Sequence, residues 1–324
     1  MTAETVSKQH KYCGRFAPSP TGPLHFGSLV TALASFLDAR ANGGRWLVRM
    51  EDIDATRCLP GMDADILKTL AAFGLEWDGD VLYQNVPASQ ERYQHALQQL
   101  RAAGLIYPCG CSRKEIADSA PMGIEGPVYP GTCRAGLVPG KKARAERIMV
   151  SESEITFEDR VQGPLLQSLV QQIGDFVLHR ADGCISYQLA VVVDDAYQSV
   201  TDVVRGVDLL LSTPRQIYLQ QMLQLPQPSY AHIPLAVNQL GLKLSKQNLA
   251  RAIDVNAPSI ALYRALLFLG QQVPNEAEHW SSQAIIDWAI DHWQLQSVPR
   301  LRSIICETVE SAPKKRLDDQ LLPE

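Results

Sequence analysis

The stretch RFAPSPTGPLHFGS, residues 15–28, holds three prolines and two glycines and runs straight into a helical pattern. Prolines 18, 20 and 23 fix φ and remove amide donors, so the loop has few conformations to lose on binding. Gly22 and Gly27 permit tight turns and the close approach of a ligand to the backbone. GRFA in front of the loop reads as a short strand. Behind it Leu29, Leu33, Phe36 and Leu37 recur at helical spacing, and Gly43-Gly44 ends that helix. RWLVRM, residues 45–50, reads as the next strand. Strand, loop, helix, strand is the building block of a parallel sheet, so the chain is expected to be an α/β protein.

Length and composition narrow this further. A chain of 324 residues can bury a large core, in two domains or in one domain with an insertion. Hydrophobic residues at 46% and charged residues at 20% describe an ordinary soluble globular protein. The start, MTAETVSKQHK, is polar and lacks an apolar h-region, and the longest aliphatic run, LAVVV at 189–193, is far short of a membrane span. Seven cysteines, an odd number, without an export signal predict reduced thiols in the cytoplasm. The net charge of −5 gives no global attraction to nucleic acid, so any RNA contact must use a local basic patch such as KKARAER at 141–147.

Further along, MDADILKTLAAFG (62–74) reads as an amphipathic helix with acidic residues in its first turn and Gly74 as its stop, and 89–104 reads as another. From about Tyr107 to Gly140 the texture changes to Gly, Pro and Cys without a period, which predicts an insertion. DFVLHR, the turn Asp182-Gly183 and CISYQL form a hairpin signal. STPRQIYLQQML (212–223) starts a helix with Ser212 or Thr213 as N-cap and Pro214 in the first turn. The tail from about Asn256 reads as helical, with Trp280, Trp288 and Trp293 expected in the core.

Two segments carry phosphate chemistry. The proline loop ends at a helix N-terminus, where free N–H groups and the helix dipole attract anions, and His25 can donate to a phosphate oxygen there. GLKLSKQ (241–247) places Lys243 and Lys246 around Ser245, mobile positive charge suited to a polyphosphate transition state. In the insertion, Cys109, Cys111 and Cys133 suggest a structural zinc site, which requires four tetrahedral ligands. No histidine lies in that segment, leaving Glu115, Asp118, Glu125 and Tyr129 as candidates for the fourth. The other cysteines are isolated and expected to be packed.

HFGS (25–28) and KLSKQ (243–247), in this order, resemble the HIGH and KMSKS motifs of class I aminoacyl-tRNA synthetases. RFAPSPTGPLH, RMEDIDATR (49–57), YQLAVVVDD (187–195), VVRGVDLL (203–210) and STPRQIYLQ (212–220) are similar to the glutamyl-tRNA synthetase catalytic domain, in family order over residues 14 to 247. HFGS departs from HIGH at its last position, leaving Ser28 to face the nucleotide. The resemblance implies a Rossmann-like catalytic domain in two halves, 1–104 and 176–236. It also implies a zinc-containing insertion at 105–175 and a lysine loop with a helical C-terminal region at 237–324.

The resemblance also assigns roles. Arg15, Ala17, Ser19, Glu51, Tyr187 and Arg205 become the glutamate pocket, with Glu51 on the α-ammonium. His25, Gly27, Ser28 and Lys246 become the ATP site, and His25, Lys243 and Lys246 the catalytic groups. The physics agrees, since guanidinium groups clamp a carboxylate bidentately and a carboxylate suits an ammonium. Asp194 and Asp195 stay open between a structural role and magnesium. Cys-x-Cys followed by Tyr-x-x-x-Cys looks like the family's zinc pattern, which implies Cys109, Cys111, Tyr129 and Cys133 as ligands.

Only 78 residues follow Lys246, too few for the helical anticodon-reading domain of a discriminating enzyme, which needs about 100–150 residues. That truncation is similar to the glutamyl-Q tRNA(Asp) synthetases. The resemblance therefore implies a monomeric cytoplasmic ligase without an anticodon-binding domain. It would activate L-glutamate with ATP and Mg2+ without tRNA, then transfer it to queuosine in the anticodon of tRNA(Asp). Three other readings stay open: a truncated enzyme charging a tRNA 3′ end, a catalytically silent RNA-binding paralogue, and a nucleotidyltransferase acting on a small molecule.

Overall fold

A computed structural model describes residues 11–137, 139–151, 154–244 and 251–306. Strand β1 (Cys13–Phe16), helix α1 (Phe26–Ala41) and strand β2 (Arg45–Met50) form the unit that the opening loop predicts, with β1 and β2 parallel and Phe16 opposite Val48. All of Trp46–Met50 is buried, so β2 is covered on both faces, as a parallel strand between layers requires. Gly43 takes φ 62° just past α1, the left-handed step that ends a helix. Helix α2 (Met62–Ala72) leads to β3 (Leu82–Tyr83), which pairs parallel to β2 and completes the first sheet. Helix α3 (Pro87–Ala102) then packs on the second half of the molecule.

The insertion opens with β4 (Ile106–Cys109), the short helix α4 (Arg113–Ser119), a two-residue pairing of β5 (Met122–Gly123) with β6 (Gly126–Pro127), and β7 (Ala145–Ile148). Next come β8 (Glu154–Asp159), β9 (Gly163–Ser168), the single turn α5 (Leu169–Gln172) and β10 (Val177–His179). Strands β10, β7 and β4 make an antiparallel sheet. Strands β8 and β9 fall inside the range 105–175 read as the insertion. They nevertheless hydrogen-bond into the second main sheet, through Tyr230 opposite Asp159.

That second sheet has the order β11-β12-β8-β9. Helix α6 (Tyr187–Tyr197) precedes β11 (Asp202–Gly206), and α7 (Thr213–Leu223) joins it to the parallel strand β12 (Ser229–Ile233). The Thr201 N–H donates to the Cys13 carbonyl at 2.9 Å, which sets the start of β11 beside β1. The expected hairpin at CISYQL is cut short. His179 and Ile185 form a single bridge, after which Ser186 accepts from the Leu189 N–H and caps α6. The apolar run is thus a buried helix, wrapped on every side by neighbours, which overrides the β preference of its valines. Ser212 stands at the N-cap of α7 without a capping bond, its hydroxyl accepting instead from Arg215 at 3.0 Å, because a 3₁₀ turn over Val207–Ser212 runs directly into the helix.

The last segments are β13 (Leu235–Val237), α8 (Pro258–Phe268), α9 (Ser282–His292) and β14 (Ser303–Ile305), with β13 and β14 parallel. Both helices pack on the same core as α1, β1 and β2, and Trp280, Trp288 and Trp293 lie against that core. No helix among the described residues is long and apolar enough to cross a membrane.

One buried carboxylate locks the arrangement. Asp38 of α1 accepts from the Tyr12 hydroxyl at 2.5 Å, from Arg160 at 2.8 and 3.0 Å and from the Trp293 indole at 3.0 Å. Replacing it strands the Tyr12 hydroxyl and the Trp293 indole and leaves Arg160 with Asp202 alone, at 3.2 Å. D38A is therefore expected to lower the unfolding free energy by about 3 kcal/mol, measured by chemical denaturation.

Candidate active site and thiol cluster

The proline loop leaves β1 at its carboxyl end and is tied to the end of β2, where the Glu51 N–H donates to the Pro18 carbonyl at 2.9 Å. Opposite, Arg205 stands near the end of β11 and Tyr187 in the first turn of α6. Between them lies a cleft of about 550 Å3. Arg15, Ala17, Ser19, His25, Gly27, Ser28, Glu51, Tyr187, Arg205 and Lys243 all line it. Segments spread over more than 220 residues of chain therefore meet in one cavity at the carboxyl ends of parallel strands, where open α/β sheets place ligands. Ser245 and Lys246 lie outside the described residues.

His25 is the N-cap of α1. Its Nδ1 accepts from the Ser28 N–H at 3.2 Å, so in the neutral ring Nε2 carries the proton and is the donor. A β-carbon on Gly27 would stand 3.3 Å from the His25 ring, so the ring would have to give by a few tenths of an ångström, and at ordinary contact distance, 3.6 Å, from the Leu244 carbonyl. The lysine loop is anchored here as well, with Val237 bridged to Lys243 and the Leu244 N–H on the Ala236 carbonyl at 2.9 Å. The Lys243 ammonium reaches Asp208 at 2.5 Å.

Behind the cleft sits a buried charge cluster. Asp195 accepts from Arg15 Nε at 3.2 Å and from Arg49 Nη2 at 2.8 Å, and Arg49 also lies 3.5 Å from Glu51. Burial alone would raise Asp195, but Arg15 and Arg49 outweigh it and hold its carboxyl below the usual range. Burial pushes the Glu51 carboxyl up, against the pull of Arg49 and Arg15. Asp194 turns away from the cleft to Tyr93 at 2.6 Å and Gln84 at 2.9 Å. Both aspartates are thus internal partners of protein groups.

Arg205 is held through two of its three nitrogens. Its Nε donates to His232 Nε2 at 2.9 Å and its Nη2 to Thr213 Oγ1 at 2.8 Å. His232 lies 2.6 Å from Asp159 through Nδ1. Arg49, Asp159, Asp208 and His232 were absent from the sequence-derived site, where Asp195 stood only as an open choice between a structural role and magnesium. Arg49 and His232 did leave a signal, a cation inside WLVRM and a histidine inside an apolar run. Asp159 and His232 are 73 residues apart, a pairing no local pattern reveals.

The thiols also meet. Sγ atoms of Cys109, Cys111 and Cys133 lie within 4.8 Å of one another, with Cys111 and Cys133 at 3.6 Å. The Tyr129 hydroxyl is 3.3 Å from Cys109 and 3.5 Å from Cys111. A tetrahedral zinc with Zn–S of about 2.3 Å and Zn–O of about 2.0 Å has edges of about 3.8 and 3.5 Å, so the donor set fits that ion. Two of the three rival carboxylates are engaged elsewhere: Glu115 closes the capping box of α4 with Ser112, and Glu125 pairs with Arg215. Arg147 stacks over the Tyr129 ring at 4.0 Å and donates to Cys109 at 3.4 Å, an outer layer of support.

Residues 12–298 match the family model for the catalytic domain of class I tRNA synthetases (E and Q). A glutamyl-Q tRNA(Asp) synthetase of Dechloromonas aromatica is 56% identical over 296 residues, covering 91% of this chain and 98% of the relative. The chain belongs to the glutamyl-Q tRNA(Asp) synthetase family. A second member, from Aromatoleum aromaticum, is 53% identical over 289 residues, 89% of this chain and 91% of its own length. The fold is shared with a glutamate-tRNA synthetase of Elizabethkingia anophelis, with a TM-score of 0.74 at 22% identity over 92% of this chain and 68% of that one.

The site makes a prediction for acid stability. Burial, aided by Arg205 and opposed by Asp159, lowers the His232 pKa from 6.5 to about 4. Between those values the unfolded chain binds a proton that the folded chain refuses. This contribution to stability is complete above about pH 6.5 and lost as the pH falls through about 4, whereas the Asp159 carboxyl, already held low, titrates below that window. Denaturation midpoints measured from pH 7 to 4 should fall more steeply for the wild-type protein than for H232Q, whose amide cannot titrate.

Proposed function

We propose that the chain activates L-glutamate with ATP and transfers the glutamyl group to queuosine in the anticodon of tRNA(Asp), as the names of its relatives imply. The observation that carries this reading is the single cleft lined by every described candidate for glutamate and ATP. Arg15, Ser19 and Arg205 take the side-chain carboxylate, with guanidinium groups fixed in advance by Asp195 and His232. Glu51 takes the α-ammonium, whose charge offsets the burial that raises its pKa. Ala17 and Tyr187 close the pocket.

The α-carboxylate then attacks the α-phosphorus of ATP, forming glutamyl-adenylate as pyrophosphate leaves. His25 through Nε2–H, the α1 N-terminus at Gly27 and Ser28, and Lys243 and Lys246 hold the phosphates and offset their developing charge. Magnesium bound with ATP neutralises part of the same charge. A hydroxyl of the queuosine cyclopentenediol next attacks the activated carbonyl, AMP departs, and the hydroxyl proton is lost. Positioning and electrostatics supply most of the catalysis.

Cys109, Cys111, Cys133 and Tyr129 hold one structural zinc. Because folding and metal binding are coupled at such sites, C133S should lose bound zinc, measured by elemental analysis, and its insertion should become protease-sensitive. The function itself is tested by incubating labelled glutamate and ATP with tRNA(Asp) with and without queuosine, beside tRNA(Glu). Label should transfer to the queuosine-bearing tRNA(Asp) alone; charging of tRNA(Glu) would sink the assignment.

A further inference from the structure

His232 lies in the middle of the second sheet, fully buried on β12, between a carboxylate and a guanidinium. Asp159 Oδ1 accepts backbone N–H groups from Val161 at 3.0 Å, Gln162 at 2.8 Å and His232 itself at 3.1 Å. Its second oxygen, Oδ2, is left for His232 Nδ1 at 2.6 Å. An acceptor saturated in this way is a carboxylate, so the proton between them belongs to Nδ1. On the far side Arg205 Nε stands 2.9 Å from Nε2. A guanidinium can only donate, so Nε2 must present its lone pair. The geometry therefore leaves one ring state: neutral, with hydrogen on Nδ1.

The fork of Arg205 is consumed unevenly. Nε goes to His232, and Nη2 goes to Thr213 at 2.8 Å and the Leu209 carbonyl at 3.5 Å. The Tyr230 ring lies under the guanidinium at 5.4 Å and stacks on the His232 ring at 6.2 Å. Nη1 alone is buried with no hydrogen-bond partner among the described residues. An unpaired guanidinium N–H in a dry site is costly, and the cleft that Arg205 lines is where a carboxylate would satisfy it. The groups facing His232 are Asp159 on β8, Arg205 on β11, Arg15 on β1 and Tyr230 on its own strand. Two of them are cations, so a protonated ring would face like charge.

We propose that His232 is a positioning residue for carboxylate recognition. Asp159 fixes its proton on Nδ1, and Nε2 then holds Arg205 so that Nη1 is kept for the substrate. This rests on the reading that Arg205 binds the glutamate carboxylate. D159N retains the oxygen for the three backbone N–H groups but puts an amide donor against Nδ1. The ring must then carry its hydrogen on Nε2, against Arg205.

The test combines glutamate-dependent ATP–pyrophosphate exchange with the 15N shifts of the His232 ring, which tell a protonated from an unprotonated nitrogen and are assigned by their loss in H232Q. The full-length wild-type protein at pH 7 should show hydrogen on Nδ1 and none on Nε2. D159N and H232L should raise KM for glutamate by about tenfold to a hundredfold, the loss of one charge-assisted hydrogen bond, while KM for ATP stays within about twofold. H232Q, whose amide can both accept from Arg205 and donate to Asp159, should recover most of that loss.

Hydrogen on Nε2 in the wild-type protein, or an unmoved glutamate KM in both D159N and H232L, overturns the relay. An unmoved glutamate KM in R205Q beside an intact Nδ1–H ring overturns instead the assignment of Arg205 to the carboxylate, and the proposal with it.

Discussion

The cleft is built on a carboxylate held between two guanidinium groups of the protein. Asp195 sits between Arg15 and Arg49, at 3.2 and 2.8 Å, in a region from which water is excluded. Moving three ions out of water is expensive, and each is tolerable only because the others are there. The arrangement leaves Arg15 aligned at the edge of β1, its Nε already committed to Asp195. Arg49 in turn holds Glu51 close enough to keep an acid near two bases. Neither guanidinium can swing to solvent without abandoning Asp195, so this wall of the cleft is held in place.

Much of this was legible in the sequence, and the legible parts have a common cause. The proline loop, RWLVRM and the helix between them announce themselves through residues whose backbone preferences are local. The helix over 62–72 and its stop at Gly74, which takes φ 72°, follow for the same reason. The three cysteines were readable as a cluster because they fall within the short stretch 109–133, whereas Tyr129 was named as the fourth ligand only through the family resemblance. The illegible parts depend on partners distant in the chain. CISYQL reads as a strand, yet the burial available to Tyr187–Tyr197 made it a helix start. Strands β8 and β9 look like part of an insertion until β12 is there to pair with them. Asp194 and Asp195 could be ranked only as structural or metal-binding, since Arg15, Arg49, Tyr93 and Gln84 come from four other segments.

The same distinction separates the two halves of the site. Around His25 the cleft is built from consecutive residues: a helix terminus, a histidine that caps it and a glycine. Around Arg15 and Arg205 it is built from side chains that are each restrained by a second ion or an imidazole. The first kind leaves a motif because it uses consecutive residues. The second leaves isolated letters, such as the histidine in AHIPLAV, that acquire meaning only in three dimensions. A third element, the thiol cluster, is tied to the second core, because Glu125 of the insertion pairs with Arg215 in α7.

Asp38 bears on how such a chain can be subdivided. Tyr12, Arg160 and Trp293 come from the beginning, middle and end of the sequence and converge on its two oxygens. Modularity by chain order therefore fails here. The terminal helices are not an appendage to the first sheet, because they share its core. Any recombination that moves the crossover ahead of Trp293 removes the indole donor and leaves that carboxylate to Tyr12 and Arg160.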